Sequence, residues 1–536
     1  MTTFKTAFKH IDRFARRWIE DRNVPGLTIA VTTRERLLEV LTYGFADVAS
    51  RTPVDPDTLF EIGSLGKPFT SIALLQLRDE GKLDLHKPVS DYLLWFQVRS
   101  AHAPITVHHL MNHTAGIIRG TERASHGLYD SWALRETEVS APPGEYFCYS
   151  SIGYKTLGFL LEELTGQSYR EAVEARVLSP LGMTQTSAVT TFEAHARAAT
   201  GYCGFYDDRP EHSTHALARA PWEEFGTGDG CQASTASDMA IYLRMLLNRG
   251  QGRQRVMSEE SFDMMTLNGI WTGGDYYGYG LATYDAQGRT YIGHGGGNAG
   301  YRSAIVVDME AGLGVVFLLN RMGETDPVVE AAQHTLTVLR CAARNEPLPP
   351  AALATDLNSV DGAAQYAGVY QSEFGQLRLT SNGDNLLLES HGGVALERRG
   401  QDRFYVRHPE FDLFLLEFKC KDGKVVEAFH GPNWYTHERY AGPRTVQFPD
   451  QWDAYVGHYR TRNPELSNFR VVVRKGTLTL MIPWGDSEPL HPLDASTFRI
   501  SDDPLWPERL RFEAVVGGRA LRVDYSGCPY YRTFTP

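Results

Sequence analysis

A proline-rich segment after residue 342 divides this 536-residue chain into two parts with different sequence patterns. The segment reads Ala342-Ala343-Arg344-Asn345-Glu346-Pro347-Leu348-Pro349-Pro350 and has no apolar period, which is typical of a linker between domains. Strand-like and helix-like patterns occur in blocks before it, whereas short alternating runs of polar and apolar residues dominate after it. The pattern predicts a mixed α and β part followed by an all-β part.

The part before the linker begins and ends with strand-like runs. Leu27–Thr32 and Leu37–Tyr43 have the pattern of strands, and so do four later runs, Gly280–Tyr284, Thr290–Gly293, Tyr301–Asp308 and Gly314–Asn320. Residues 85–250 are mainly helical in pattern. The clearest helices there are Tyr154–Thr165 and Ala236–Leu247, the second with a Ser/Asp-type start at Ser237-Asp238. Strands from both ends of a segment meet most simply in one sheet with helices packed on it, so we expect an α+β domain with an antiparallel sheet.

The all-β part contains an internal repeat. Tyr366-Ala-Gly-Val-Tyr370 recurs as Tyr455-Val-Gly-His-Tyr459, and each copy continues with a phenylalanine-led strand and then a glycine followed by aromatic residues. Three landmarks in the same order favour two small antiparallel β-barrels over one large sandwich. The predicted division is an α+β domain over residues 1–342, a linker over 343–358, and barrels over 359–446 and 447–536.

The composition excludes several classes of partner. The chain is 42% hydrophobic and 22% charged, with a formal net charge of −12 and no block of five or more like charges, which argues against nucleic acid and anionic membrane surfaces. The cysteines show no metal-binding spacing, and the N-terminal segment has the pattern of an amphipathic helix without a leader's apolar core. We therefore expect a cytoplasmic protein without a transmembrane segment, and leave open whether it forms a homo-oligomer.

The first candidate site is Ser64-Leu65-Gly66-Lys67, at the predicted start of a helix over Phe69–Glu80. Residues three apart share a helix face, so the Lys67 amine can reach the Ser64 hydroxyl. A serine becomes nucleophilic when a nearby base takes its proton, and a partly dehydrated lysine can act as that base. The pattern is short and common, so a surface serine beside a solvated lysine is the alternative.

A second candidate is Tyr149, which ends a loop shaped by proline and glycine just before a predicted helix. A phenol near an ammonium group has its ionised form favoured, and it can then shuttle protons at neutral pH. Buried tyrosines are common, so packing is the alternative role for this side chain.

The third candidate is Gly293-His294-Gly295-Gly296-Gly297-Asn298-Ala299-Gly300. Glycine-rich backbone beside a strand lets a substrate lie close to main-chain donors. The run also matches the spacing of a dinucleotide-binding loop, but a predicted strand, Tyr301–Asp308, follows where that motif requires a helix. We therefore expect a substrate-binding strand edge here.

In this order, the three elements resemble the motifs of the serine β-lactamase and penicillin-binding-protein superfamily, which are Ser-x-x-Lys, Tyr-x-Asn and Lys-Thr-Gly. Here they stand as Ser64-Leu65-Gly66-Lys67, Tyr149-Ser150-Ser151 and His294-Gly295-Gly296. The tyrosine and the His-x-Gly run are most similar to the class C-related branch. The two predicted barrels resemble the layout of bacterial D-aminopeptidase, and the branch also includes family VIII esterases.

The resemblance implies roles for individual residues. Ser64 would be the acylated nucleophile, Lys67 its activator and Tyr149 the proton relay to the leaving group. The backbone N–H groups of Ser64 and Gly297 would form the oxyanion hole. No metal and no other cofactor is implied.

Two residues depart from the family pattern. Ser151 stands where asparagine is usual, and His294 replaces a permanent cation, so a substrate carboxylate would be held less firmly and in a pH-dependent way. The resemblance still implies that His294 is a catalytic residue in place of the third-motif lysine, and that Ser151, Gly295 and Gly296 bind the substrate. Both departures weaken the case for a cell-wall transpeptidase acting on D-Ala-D-Ala termini.

The resemblance therefore implies a serine hydrolase working through an acyl-enzyme on a small-molecule or short-peptide substrate. A D-aminopeptidase-like peptidase or amidase is the preferred assignment. The alternatives are a carboxylesterase or a β-lactamase-type activity, an acyltransferase or peptide cyclase, and a catalytically silent sensor or scaffold.

His109 and His113 are spaced like two zinc ligands on a helix. No acidic residue follows His109, so the metalloprotease pattern is absent. We expect both histidines to be structural.

Overall fold

A computed structural model describes residues 2–120, 127–267, 269–286, 288–350 and 357–534. The chain forms two compact units. The first comprises Met1–Phe205 and Ala216–Ala352, and the second comprises Tyr206–His215 and Leu353–Pro536.

The first unit has most of its strands near its two ends and most of its helices between them, as the sequence predicts. The helices are α1 Thr2–Asp21, α2 Lys67–Asp79, α3 Val107–Met111, α4 Gly127–Trp132, α5 Ser151–Thr165, α6 Tyr169–Val173, α7 Ser179–Leu181, α8 Phe192–His195, α9 Ala236–Leu247, α10 Glu259–Thr266 and α11 Asp326–Ala343. The strands are β1 Gly26–Thr33, β2 Leu37–Asp47, β3 Thr52–Pro53, β4 Phe60–Glu61, β5 Tyr202–Gly204, β6 Leu217–Arg219, β7 Ala233–Ser234, β8 Ile270–Trp271, β9 Tyr276–Tyr277, β10 Ala282–Ala286, β11 Arg289–Asn298, β12 Tyr301–Asp308 and β13 Leu313–Leu319.

The main sheet of this unit joins both ends of the domain, as the sequence predicts. Among the described residues its strand order is β3-β2-β1-β13-β12-β11-β10-β9-β8. The strands β1 and β13 are far apart in sequence but pair antiparallel from Leu27 opposite Leu319 to Thr33 opposite Leu313. Their side chains are almost all buried, because helices cover both faces of the sheet centre.

Two hydrophobic layers hold the sheet. On one face, α1 and α11 bury their apolar sides, with Ile11, Trp18 and Leu336 among the buried residues. The other face packs on α2, α5 and α9 through residues such as Phe69 and Leu243. This second layer also carries the functional candidates, so the site lies between the sheet and the helical region.

The predicted helices are confirmed with small shifts at their starts. The helix over residues 236–247 has the predicted bounds, but its first turn is capped by Thr235, whose side chain accepts a hydrogen bond from the Asp238 N–H. The predicted cap at Ser237-Asp238 is therefore wrong. Ser237 lies inside the helix, and a threonine immediately before the helix satisfies the otherwise unpaired N–H group.

The all-β part forms two closed barrels, each with eight strands in the described residues. The strands of barrel 1 are β14 Gly368–Ser372, β15 Gly375–Asn382, β16 Asn385–Leu388, β17 Val394–Gly400, β18 Arg403–Val406, β19 Leu416–Lys421, β20 Lys424–His430 and β21 Asn433–His437. Those of barrel 2 are β22 Gly457–Arg460, β23 Asn468–Arg474, β24 Thr477–Met481, β25 Ser487–Pro492, β26 Thr497–Ile500, β27 Arg509–Val516, β28 Arg519–Tyr525 and β29 Cys528–Arg532. The duplication is confirmed, and the single-sandwich alternative is wrong.

The repeated Tyr-x-x-x-Tyr motif has the same role in both barrels. The Tyr370 hydroxyl donates to the Tyr366 carbonyl at 2.8 Å, and the Tyr459 hydroxyl donates to the Tyr455 carbonyl at 2.8 Å. Both donor tyrosines are fully buried among apolar side chains. The repeated aromatic residues therefore pack in the barrel cores.

The second unit also contains Tyr206–His215, the loop that connects β5 to β6. His212 Nε2 lies 2.8 Å from a carboxylate oxygen of Glu397 in barrel 1, and the Asp207 carbonyl accepts a hydrogen bond from Asn468 of barrel 2 at 2.8 Å. This loop therefore contacts both barrels. Residues 351–356 of the predicted linker lie outside the described residues, and the division at 342, 358 and 446 stays a prediction.

Among the described residues, every helix is too short or too polar to cross a membrane.

Candidate active site

Ser64 lies in a short 3-10 turn, Gly63–Gly66, directly before α2. The helix begins at Lys67, two residues earlier than the sequence predicts, because Pro68 fits in the first turn where its missing N–H is not needed. The Ser64 side chain is partly exposed, whereas its neighbours Leu65 and Gly66 are buried. Ser64 is therefore the only partly exposed residue of this turn, and its hydroxyl is accessible.

Lys67 is completely buried and makes three polar contacts. Its Nζ atom lies 2.9 Å from Ser64 Oγ, 3.3 Å from Ser151 Oγ and 2.7 Å from the carbonyl oxygen of Asp229. These partners come from the 3-10 turn, the first residue of α5 and the loop before β7. The expected contact between Ser64 and Lys67 is thus present, and tertiary packing adds the other two.

The contacts of Lys67 suit a base. An ammonium group would donate to all three oxygens, whereas a neutral amine donates to two and accepts from the third. The Asp229 carbonyl can only accept, so it always uses one N–H of Lys67. The Ser64 hydroxyl is a donor as well as an acceptor, and it can therefore give its proton to a neutral Lys67.

Tyr149 lies on the other side of Lys67. The centre of its ring is 4.9 Å from Lys67 Nζ, and Ser150, the next residue, caps α5 by accepting the Gly153 N–H. The Tyr149 hydroxyl is buried, and it interacts with the neighbouring Tyr277 hydroxyl. A phenol is both a donor and an acceptor, so the Tyr149 hydroxyl can also form a hydrogen bond with a bound substrate.

His294 makes two hydrogen bonds that define its protonation. Its Nδ1 atom lies 2.6 Å from the Gly295 carbonyl and its Nε2 atom 2.9 Å from the Tyr277 hydroxyl. A carbonyl only accepts, so Nδ1 carries the hydrogen and Nε2 accepts from Tyr277. Burial and the nearby Lys67 lower the pKa of His294 to about 4, so the ring is neutral at neutral pH. It offers a substrate carboxylate no positive charge in that range.

The glycine run belongs to β11, which continues to Asn298 and not only to the predicted end at Gly293. The physical reason is close backbone contact. A Cβ atom on Gly296 would lie 2.1 Å from the Ile62 carbonyl oxygen, and one on Gly63 would lie 2.5 Å from the Gly297 nitrogen. Only glycine lets the strand approach the Ser64 turn this closely.

The register of β11 sets the direction of the Gly297 N–H. Asn298 pairs with Tyr301 around a two-residue turn and forms a hydrogen-bonded pair. The two pair types alternate along an antiparallel ladder, so the next pair, Gly297 with Arg302, is a non-hydrogen-bonded pair. The Gly297 N–H therefore points away from β12. In the described register β10 pairs with β11 only up to Gly293, which leaves this side of Gly297 open toward the Ser64 turn.

Sequence reasoning missed one residue of the site, Tyr277, which donates to His294 and whose ring lies 6.0 Å from that of Tyr149. Burial raises the pKa of Tyr277 well above its ordinary value, so it stays a donor. The run Tyr276-Tyr277-Gly278-Tyr279-Gly280, in which aromatic residues and glycines lie side by side near the third motif, is the signal that points to it.

The two histidines considered as metal ligands have other contacts. His109 Nδ1 accepts the Thr106 N–H in the capping box of α3, and His113 lies beyond the end of that helix. Across the described residues, no group of three or more histidine, cysteine, aspartate or glutamate side chains is arranged to hold a metal ion.

Comparisons with known proteins agree with this geometry. The model of the Beta-lactamase family matches residues 11–339. Penicillin-binding protein 4 of Amycolatopsis lactamdurans is 29% identical over 378 residues, which cover 66% of this chain and 95% of that protein. The octameric penicillin-binding protein homologue from Pyrococcus abyssi is 25% identical with a TM-score of 0.57, covering 79% of this chain and 98% of that one.

A class C β-lactamase structure has a TM-score of 0.54 at 21% identity and covers 62% of this chain and 96% of that one, which shows the shared fold. The family match spans more than half of the chain and contains all three motifs. This chain belongs to the Beta-lactamase family.

Proposed function

We propose that this protein is a serine hydrolase that forms an acyl-enzyme on Ser64 with a small amide or ester substrate. One observation carries the proposal: the buried Lys67 amine lies 2.9 Å from the partly exposed Ser64 hydroxyl and 4.9 Å from the centre of the Tyr149 ring. A nucleophile, a base and a proton-transfer group close to one another are the parts that acyl transfer needs.

The proposed reaction has two steps. Ser64 Oγ attacks the substrate carbonyl while Lys67 accepts its proton, and Tyr149 delivers a proton to the leaving amine or alcohol as the C–N or C–O bond breaks. Water then attacks the acyl-enzyme, the ester bond to Ser64 breaks, and the serine regains its proton. The Ser151 hydroxyl, 3.3 Å from Lys67 Nζ, helps to hold the amine in place.

The oxyanion hole in this proposal consists of the N–H groups of Ser64 and Gly297. The strand register that turns the Gly297 N–H away from β12 supports the second donor, and the glycine contact between Gly63 and Gly297 places it beside the nucleophile. Fixed donors of this kind stabilise the negative charge that develops on the carbonyl oxygen.

The substrate class follows from the third motif. His294 is neutral at neutral pH, and Gly295 and Gly296 offer only backbone groups. A substrate carboxylate would therefore lack a cation at this strand, so we favour substrates without a carboxylate at that position. A D-aminopeptidase-like peptidase or amidase fits best, and a carboxylesterase is the second candidate. The name penicillin-binding protein of the relatives makes β-lactams useful acylation probes.

The test combines active-site labelling with a substrate panel. A fluorophosphonate probe should label wild-type protein and not Ser64→Ala, with the same fold by circular dichroism. The panel is D-alanine and L-alanine p-nitroanilides, short-chain p-nitrophenyl esters and a chromogenic cephalosporin. We expect turnover of neutral amides or esters and slow turnover of the cephalosporin. Equal labelling of Ser64→Ala would reject the proposal, and folded wild-type protein that is not labelled would favour the silent scaffold.

Acyl transfer is separated from hydrolysis by adding an amine nucleophile and detecting the aminolysis product by mass spectrometry. We also propose a homo-oligomer, supported by the similarity to the Pyrococcus abyssi homologue, which is octameric. Light scattering on the purified full chain measures the assembly directly.

A further inference from the structure

We propose that His113 is a positioning residue that holds Tyr149 in its catalytic orientation. The inference rests on the proposed function, in which Tyr149 transfers the proton to the leaving group. It concerns a histidine that lies outside the three motifs and that the sequence predicts to be structural.

His113 binds the backbone on both sides of Tyr149. Its carbonyl accepts the Cys148 N–H at 2.9 Å, and its Nδ1 atom accepts the Ser150 N–H at 3.0 Å. One residue thus holds the N–H groups of the two residues next to the tyrosine, although 36 positions separate His113 from Tyr149 in the chain. The loop before α5 cannot shift without breaking one of these hydrogen bonds.

The His113 ring also supports the tyrosine ring itself. The two ring centres lie 4.3 Å apart at an angle of 37°, and the His113 ring is 4.9 Å from that of Tyr277, the donor to His294. His113 is 1% exposed, so it fills the space beside Tyr149 and excludes water from it. Lys67 Nζ lies 4.9 Å from the same tyrosine ring. These contacts restrict the directions in which the Tyr149 hydroxyl can point.

Two features of His113 reduce the stability of the folded protein, so stability does not explain a histidine at this position. A backbone N–H only donates, so Nδ1 is the acceptor and the hydrogen of the neutral ring lies on Nε2. That Nε2 atom is buried, and no partner for it is found in the described part of the chain. His113 also has φ at +60°, a left-handed backbone conformation that only a few per cent of non-glycine residues adopt, although histidine is found there more often than most. The hydrogen bond that His113 Nδ1 accepts from the Ser150 N–H is present despite these two unfavourable features, which points to a role in orienting Tyr149.

Two substitutions separate positioning from packing. His113→Leu keeps much of the volume and removes the acceptor, whereas His113→Asn supplies a carbonyl acceptor on a residue that tolerates positive φ. His334→Leu is the matched control, because His334 also packs on an aromatic ring, Phe14 at 4.6 Å, but on the opposite face of the sheet. Thermal unfolding of each variant reports whether the fold is intact.

On the substrate that wild type turns over, we expect His113→Leu to lower kcat roughly tenfold to a hundredfold with KM nearly unchanged. His113→Asn should recover most of this loss, and His334→Leu should equal wild type. In a Tyr149→Phe background, His113→Leu should add no further loss, because the group that it positions is already gone. An equal loss in both backgrounds, or an unchanged kcat, would overturn the proposal.

A measurement without turnover keeps this proposal separate from the proposed function. Fluorine NMR of protein with fluorotyrosine at position 149 reports the ring environment directly. We expect a broadened resonance in His113→Leu, a resonance as narrow as in wild type in His113→Asn, shifted because the imidazole ring is gone, and a wild-type spectrum in His334→Leu. A wild-type resonance in His113→Leu would refute the positioning role, whereas catalysis that persists in Ser64→Ala would refute only the proposed function.

Discussion

The Lys67 amine lies 2.9 Å from the Ser64 hydroxyl, and the lysine side chain is completely buried. We expect Lys67→Met, which keeps the stem and removes the amine, to lower the acylation rate by about 10²- to 10⁴-fold because Ser64 loses its base. Stopped-flow or burst measurements of acylation check this. Lys82→Met is the control, since Lys82 is exposed and pairs with Glu80. Acylation of Lys67→Met at the wild-type rate would exclude Lys67 as the base.

The close contact between Gly63 and Gly297 predicts a severe effect of one methyl group. A Cβ at position 63 would lie 2.5 Å from the Gly297 nitrogen, so Gly63→Ala should push β11 away from the Ser64 turn and abolish turnover. Gly81→Ala is a matched control, because Gly81 also has positive φ but has no atom within 4 Å of such a Cβ.

We expect Gly81→Ala to cost roughly 1–2 kcal/mol of unfolding free energy through backbone strain, with activity retained. Chemical denaturation and steady-state rates measure both effects. If Gly63→Ala behaves like Gly81→Ala in both measurements, then the backbone contact is not needed for catalysis.

The pKa of His294 predicts a pH dependence of stability. Burial lowers this pKa from 6.5 to about 4, so between these values the unfolded chain binds a proton that the folded chain does not. The unfolding free energy should therefore be highest above pH 6.5 and fall as the pH decreases toward 4. In His294→Gln, denaturant unfolding across this range should show a slope smaller by roughly one proton.

His109 provides a second test of the same reasoning. Burial also lowers its pKa to about 4, so His109→Gln should reduce the slope by a similar amount, and the double variant by about twice as much. Slopes in the variants that equal the wild-type slope would show that these histidines titrate alike in both states.

The two barrels should respond differently to loss of the equivalent tyrosine hydroxyl. Tyr370→Phe removes the donor to the Tyr366 carbonyl and should cost about 1–3 kcal/mol. Tyr459→Phe should cost more, because Arg532 also donates to that hydroxyl at 2.8 Å and would lose one of its acceptors. Denaturation curves compare the variants, and a larger cost for Tyr370→Phe would contradict this account.

Local sequence patterns were sufficient to predict several helices and strands and the two barrels. The helix over residues 236–247 and strand Tyr301–Asp308 have their predicted bounds, because their apolar periods are local signals. The barrel repeat could be predicted because the Tyr-x-x-x-Tyr motif, the phenylalanine-led strand and the glycine with aromatic residues occur in the same order in both copies. The end of β11 was not predicted, because glycine disfavours strands and the Ile62 carbonyl that requires glycine comes from a distant part of the chain.

The sequence by itself determined the chemistry that is available: a hydroxyl and an amine three residues apart, a tyrosine before a helix, and a histidine before glycines. The tertiary structure alone decided how these groups act. It buried Lys67 against the Asp229 carbonyl, joined His294 to Tyr277 as a neutral ring, and placed His113 beside Tyr149. The physical reason is that burial, hydrogen bonding and charge proximity depend on neighbours from many elements, which a linear pattern does not contain.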